Sequence, residues 1–179
     1  MALGEAAGLV GGNGIEGYAS LFGAEDQGGD VVMPGAYRAS LTRLKAAGRS
    51  VKMLWQHDPA QPIGVWDAVE EDGRGLRVKG RLLTEVQAGR EALALLRAGA
   101  VDGLSIGYRT LRAEKTGAGR ALHEVELWEV SLVTFPMLPE ARAAAEPPTE
   151  AEARARAAAP DEITETLART FAEARALLA

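Results

Sequence analysis

The stretch HEVELWEVSLVTF, residues 123 to 135, decides the fold predicted for this chain. It is rich in apolar and β-branched residues, and the prolines at 136 and 139 halt it, so it predicts a long β-strand. From Leu127 to Val133 the stretch has the character of a strand covered on both faces, with Glu129 as an interruption. A carboxylate in such a place needs a partner, because burying an unpaired charge is costly.

Shorter strands precede this stretch along the chain. Rough alternation or apolar runs predict strands over 15–22, 51–55, 63–69, 76–83 and 103–108. Asp72-Gly73 marks a turn, so the two strands on either side of it are expected to form an antiparallel meander. Residues 111–121 contain the small and polar segment KTGAG and are expected to form an exposed loop.

Two single helices are inserted among the strands. Tyr37, Leu41 and Leu44 recur at helical spacing before Gly48, which predicts a short helix. A second helix is predicted over about 85–98, with Thr84 and Gln87 forming a capping box and Gly99 closing it.

Strands thus predominate, and no regular alternation of strand and helix indicates a doubly wound sheet. The expected fold class is α+β, a mostly antiparallel β-barrel or sandwich with flanking helices.

Composition predicts one domain with extensions. A chain of 179 residues suffices for one sizeable core. We expect a flexible N-terminus over 1–14, a domain over 15–142 and a linker over 143–160, where the composition shifts to Ala, Glu, Arg and Pro. An amphipathic helix is predicted over 161–179, with one apolar stripe formed by Ile163, Leu167, Phe171, Ala174 and Leu178. Packing on its own domain and docking on a partner both remain open for this helix.

Charge and composition exclude several classes of function. The net charge of -5 lacks the basic footprint of nucleic-acid binding. With no cysteines and two histidines, thiolate chemistry and a cysteine or histidine-rich metal centre are not expected, and no cofactor is implied. No apolar run approaches the length of a membrane span, so a cytosolic protein is expected.

Three residues could supply acyl-transfer chemistry. His57 lies in WQHD at the end of a predicted strand, Ser105 lies in GLSIGY, and Glu129 interrupts the long strand. A serine becomes a nucleophile when a histidine takes its proton and an acid orients that histidine. Structural roles stay open at this point: His57 could simply pack, and Ser105 could be a small residue at a crowded strand position.

Other polar residues are weaker candidates. Glu126 is the second choice for the acid, although strand parity puts it on the face opposite Glu129. His123 is expected to face solvent, and Asp58 is expected to be a turn residue before the proline at 59. Arg109 and Arg112 could bind a carboxylate or position a substrate, but exposed strand arginines usually do neither.

Motifs along residues 15–142 resemble one family. They are GYASLFG (17–23), GDVVMPGAY (29–37), MLWQHD (53–58) followed by PIGVW (62–66), GLSIGY (103–108) and LWEVSLVTFPMLPEA (127–141). In this order they resemble the prohead proteases of tailed bacteriophages, which mature the capsid.

The resemblance implies a serine endopeptidase with a fold similar to the herpesvirus assemblins, a mostly antiparallel barrel surrounded by helices. It implies His57 as base, Ser105 as nucleophile and Glu129 as the acid. The implied substrates are the scaffolding segment of the major capsid protein and the protease itself, inside the immature procapsid in the bacterial cytoplasm. A homodimer or an assembly-dependent oligomer is expected, with no nucleic acid, membrane, metal or cofactor. The tail beyond about 145 is expected to carry autocleavage sites or a scaffold-binding helix.

Two alternatives to a protease remain. A non-catalytic assembly factor would work through the helix at 161–178 and would tolerate loss of the Ser105 hydroxyl. A hydrolase of small molecules would turn over simple esters without processing itself.

Overall fold

The computed structural model of this protein describes residues 12–117 and 119–145. Within them, strands predominate and two helices are inserted singly. The elements are β1 (Gly14–Leu21), β2 (Asp30–Val32), α1 (Arg38–Ala46), β3 (Lys52–Trp55), β4 (Asp58–Glu71), β5 (Gly75–Leu82), α2 (Gln87–Arg97), β6 (Gly103–Thr116), β7 (Gly119–Val133) and β8 (Ala143–Ala145).

The described strands form one sheet in the order β2-β7-β3-β4-β5-β1-β8, with β6 paired to β7 off this path. β3, β4, β5 and β1 pair antiparallel in succession, as the predicted meander requires. The pairings of β2 and β3 with β7 are parallel. The predicted α+β class with a mostly antiparallel sheet is therefore confirmed.

β7 is the central strand of this sheet. β6 runs antiparallel along one edge, and β2 and β3 pair with different segments of the other edge. The exposed loop predicted over 111–121 is wrong, because β6 continues to Thr116 and β7 already begins at Gly119. The small and polar residues that suggested a loop instead lie on the solvent-exposed part of a long hairpin, where packing does not demand apolar side chains.

The sheet is curled, and residues 141–145 connect its far edge to the start of β6. β8 pairs antiparallel with β1. On its other side, Leu104 donates its N–H to the Ala141 carbonyl and Ala143 donates to the Asp102 carbonyl, both at 2.8 Å. Residues 143–145, which fall in the predicted linker range, therefore belong to the sheet. The predicted helix at 161–179 lies outside the described residues.

An aliphatic core fills the concave side of the sheet. Its largest fully buried members include Ile15, Met53, Ile63, Leu76, Leu82, Leu104, Leu122, Leu127 and Leu132. They come from β1, β3, β4, β5, β6 and β7, so burial of apolar surface joins strands that are distant in sequence.

Helix α2 lies over the same core, burying Ala92, Leu93 and Leu96. The predicted capping box is wrong: Val86, in extended conformation, is the residue before the helix, and no side chain caps it. The Gln87 side chain donates forward to Glu91 instead, at 2.8 Å. No helix within residues 12–117 and 119–145 is long and apolar enough to cross a membrane.

Candidate active site

His57 lies in the two-residue turn between β3 and β4. Trp55 pairs with Asp58 across the hairpin, which leaves Gln56 and His57 as the turn residues. Both have positive φ, 52° and 62°, as the central residues of a type I′ turn do. Asparagine and glycine are the usual residues there, since other side chains pay a steric cost in this conformation.

Contacts to β7 hold this turn in place. Gln56 donates its N–H to the Leu132 carbonyl at 3.0 Å, and its side-chain amide donates to Thr134 Oγ1 at 2.8 Å. His57 donates its N–H to Ser131 Oγ at 3.1 Å. The turn is thus anchored on the strand that carries Glu129.

Glu129 is the partner of His57. The parallel register of β3 on β7 aligns Lys52 with Glu129 and Trp55 with Leu132. The turn after β3 therefore lies beside the end of β7, and the His57 ring contacts Glu129 from there. His57 Nδ1 lies 2.6 Å from Glu129 Oε1, and the Glu129 side chain is 10% exposed. The sequence expectation that a buried carboxylate at 129 needs a partner agrees with this contact.

The electrostatics of the pair suit a general base. A carboxylate accepts hydrogen bonds, so Nδ1 carries the shared proton and Nε2 of a neutral ring is left as an acceptor. The hydrogen bond that His57 donates to Glu129 raises the pKa of His57 above its ordinary value, although desolvation acts in the opposite direction.

Ser105 lies on β6 directly opposite Ser131 of β7, two register pairs away from Gly107 and Glu129. Cross-strand partners point to the same face, so Ser105 shares the face of Glu129. It is 6% exposed. The structure gives no hydrogen bond between Ser105 and His57 among the described residues, and such bonds are often long before substrate binds.

The glycines on either side of Ser105 make room for this chain's own residues. A Cβ on Gly107 would lie 2.0 Å from Glu129 Oε1, and one on Gly103 would lie 2.7 Å from the Pro136 ring. The Glu129 carboxylate therefore occupies the space beside Gly107 that a side chain there would need.

A residue that the sequence reasoning did not select completes the cluster. Ser131 is fully buried and donates its hydroxyl to Glu129 Oε2 at 2.6 Å, while accepting the N–H of His57. Its position two residues after Glu129 puts it on the same strand face, and this spacing was the available signal.

The weaker candidates lie apart from this cluster. Asp58 is the first residue of β4 rather than a turn residue as predicted, and its carboxylate accepts from the Ala60 N–H and from the Gln61 amide, at 2.8 and 2.9 Å. Glu126 is paired with Arg109 at 2.7 Å.

His123 and Arg112 lie toward the β6–β7 hairpin tip. Arg112 is exposed and in register with Glu124. His123 is half-buried, rather than facing solvent as predicted, with Nε2 at 3.6 Å from Glu114. In the part of the chain that the structure describes, no group of three or more His, Asp or Glu side chains is arranged to hold a metal ion.

Comparison with known proteins gives one family. The model of the family described as caudovirus prohead serine protease matches residues 6–155. The prohead protease of Enterobacteria phage HK97 is 35% identical over 135 residues, which span 73% of this chain and 59% of that relative. This chain therefore spans less than two thirds of the curated relative's length.

Two solved structures share the fold. The bacteriophage T4 capsid assembly protease matches with a TM-score of 0.56 and 17% identity, over 69% of this chain and 82% of that one. The KSHV protease, in complex with a hexapeptide phosphonate inhibitor, matches with a TM-score of 0.52 and 14% identity, over 89% of this chain and 76% of that one. The predicted similarity to herpesvirus assemblins is confirmed at the level of the fold.

Proposed function

Because this chain belongs to the caudovirus prohead serine protease family, we propose that it is a serine endopeptidase acting through Ser105, His57 and Glu129. The observation that supports this most is the 2.6 Å hydrogen bond between His57 Nδ1 and the buried Glu129 carboxylate. It leaves Nε2 of His57 as the basic atom of the ring, and it holds that ring against Glu129, which lies on the strand face that Ser105 shares.

The proposed reaction is acyl transfer. His57 Nε2 takes the proton of the Ser105 hydroxyl as Oγ attacks the peptide carbonyl carbon, and backbone N–H groups stabilise the oxyanion. The imidazolium then gives that proton to the leaving amine, and water hydrolyses the acyl-enzyme by the same route in reverse. Glu129 holds the ring in one tautomer and stabilises its positive charge throughout.

The proposed substrates are the scaffolding segment of the major capsid protein and the protease chain itself, inside the immature procapsid. Family membership supports this choice, and the relative from phage HK97 is named a prohead protease. A homodimer or an assembly-dependent oligomer is the proposed active form. No metal or cofactor takes part in the proposed steps.

The test is the intact mass of the purified full chain over time, alone and with immature capsid shells, for wild type and Ser105→Ala. We expect defined fragments from the wild type and none from the variant. Ser40→Ala is the matched control, because Ser40 is also a buried serine on an element apart from the cluster, and it should cleave like wild type.

The fragments would also locate any autocleavage sites beyond residue 145. If wild type and Ser105→Ala both stay whole in the presence of assembled shells, the protease proposal is wrong. A non-catalytic assembly factor is then the better description.

A further inference from the structure

We propose that Ser131 is a positioning residue of the active site, which holds both the backbone and the imidazole of His57 in the geometry that Ser105 requires. This inference rests on the proposed protease function and adds a fourth member to its site. It is argued from the hydrogen bonds of a residue that is fully buried and does not itself reach a substrate.

The hydrogen bonds around Ser131 form a closed ring. Its Oγ accepts the backbone N–H of His57 at 3.1 Å and donates its own proton to Glu129 Oε2 at 2.6 Å. Glu129 Oε1 in turn accepts from His57 Nδ1 at 2.6 Å. One hydroxyl thus connects the main chain of the base to the carboxylate that orients its ring.

The ring matters because the histidine backbone is strained. His57 has a φ of 62° and follows Gln56, which is also at positive φ. Such residues persist when the surrounding structure over-determines them. The N–H of His57 has Ser131 as its partner, so the hydroxyl stabilises the conformation that directs the imidazole toward β7.

The hydrogen bond that Ser131 donates to Glu129 matters because the carboxylate group has two oxygens and can rotate about its bond to the side chain. With Oε2 held by Ser131, Oε1 faces His57 Nδ1. Without this bond the carboxylate can rotate, and the fraction of molecules with a correctly oriented ring falls. Misplacement by about 1 Å typically costs on the order of 10²-fold in rate.

Ser131 is also poorly placed to act as the nucleophile. It is inaccessible to solvent, and its proton is committed to Glu129. Ser105, its cross-strand partner, has some solvent exposure. The two facing serines therefore divide the roles of nucleophile and support.

The first measurement is the titration of the His57 ring by NMR in Ser131→Ala, which does not depend on catalysis. The chain has two histidines, and His123→Gln identifies their signals. Glu129 is the charged group that acts on the His57 ring, while the neighbouring Asp58 is engaged by Ala60 and Gln61. Loss of Ser131 should loosen the bond to Glu129 and move the midpoint down toward the value of free histidine.

The second measurement is the rate at which a small fluorophosphonate modifies Ser105, followed by intact mass across pH. Ser131→Ala should lower the maximal rate about 10²-fold. Ser40→Ala is the matched control: Ser40 is 2% exposed and its Oγ also accepts a backbone N–H of β7, from Leu127 at 2.9 Å. It should leave both readouts unchanged.

Ser131→Cys is the second variant if Ser131→Ala does not fold. A thiol keeps the site filled but is a weak donor and acceptor, so the same two changes are expected. If the Ser131 variants match Ser40→Ala in His57 midpoint and in labelling rate, the inference is wrong. If wild-type Ser105 is never labelled, the protease proposal fails, while the titration still decides whether Ser131 positions the ring.

Discussion

His57 adopts a positive φ, a backbone conformation that residues other than glycine disfavour. Positive φ at a non-glycine residue costs on the order of 1–3 kcal/mol, and Gln56 adds a second such residue. Hydrogen bonds from both residues to β7 offset that cost. The strand that carries Glu129 therefore stabilises the strained turn and keeps His57 close to that carboxylate.

The charge state of His57 follows from the same contact. Its pKa is raised chiefly by the hydrogen bond that its ring donates to Glu129. A raised folded-state pKa adds stability that is fully present below the ordinary histidine value and is lost as pH rises through the raised value. With the His57 side chain 43% exposed, solvent screens this contribution, so its main consequence concerns catalysis.

Replacing Glu129→Gln tests the acid at the residue scale. Activity requires neutral His57, so kcat/KM should rise as pH rises through the pKa of His57. Removing the carboxylate charge should lower that pKa, move the acidic limb of the profile to lower pH and reduce the maximal rate of Ser105 modification by roughly 10⁴-fold. The measurement is the pH dependence of Ser105 modification by a fluorophosphonate.

Glu126→Gln is the control for that experiment, since Glu126 is paired with Arg109 and was the second choice for the acid. It should retain the wild-type profile. An unshifted acidic limb in Glu129→Gln, or a shifted one in Glu126→Gln, would contradict the role of Glu129.

Among the elements, α2 shows how close packing selects a residue that helices otherwise avoid. Gly89 lies in its first turns and is buried. A Cβ there would lie 2.1 Å from the Leu83 carbonyl oxygen and 2.8 Å from that of Ile63. The absence of a side chain lets the helix approach the backbone of β4 at Ile63 and of Leu83, the residue after β5.

Gly89→Ala should therefore destabilise the protein, although alanine favours a helix by about 1 kcal/mol. The clash with backbone oxygens that cannot move independently should lower the free energy of unfolding by about 1–3 kcal/mol. Urea denaturation measures this change. Gly73→Ala is the matched control, because nothing lies within 4 Å of its added Cβ, and a similar loss in both variants would refute the packing argument.

At the scale of the whole sheet, residues 141–145 join the edge strand β1 to the start of β6. They bond through β8 to β1 and through the Ala141 carbonyl and the Ala143 N–H to the start of β6. Arg142 adds a salt bridge to Asp102 at 2.5 Å, with both side chains 45% exposed. Backbone pairing and the burial of Ala141 should outweigh that exposed ion pair.

Ala143→Pro and Arg142→Ala compare these two contributions. The proline removes the N–H that bonds to the Asp102 carbonyl, which should cost at least about 1 kcal/mol. Loss of Arg142 should cost less than about 1 kcal/mol. Thermal unfolding followed by circular dichroism measures both, and an equal or larger drop in Tm for Arg142→Ala would reverse the ranking.

The sequence by itself determined most of the strands and both described helices, and it selected Glu129 and His57 as the acid and base that we propose. An interruption of a long apolar strand marked Glu129, and a strand ending in WQHD marked His57, because burial and strand alternation are local signals. Local signals misjudged the start of α2 and the hairpin over 111–121, where tertiary pairing overrides propensity.

Only the tertiary structure decided which partners meet. His57 and Glu129 are separated by 72 positions, and His57 and Ser131 by 74. Their contacts depend on the parallel register of β3 on β7, which is set by the packing of the shared core rather than by either strand alone. The positive φ of His57 has the same origin, since hydrogen bonds to β7 stabilise a turn conformation that Gln56 and His57 disfavour.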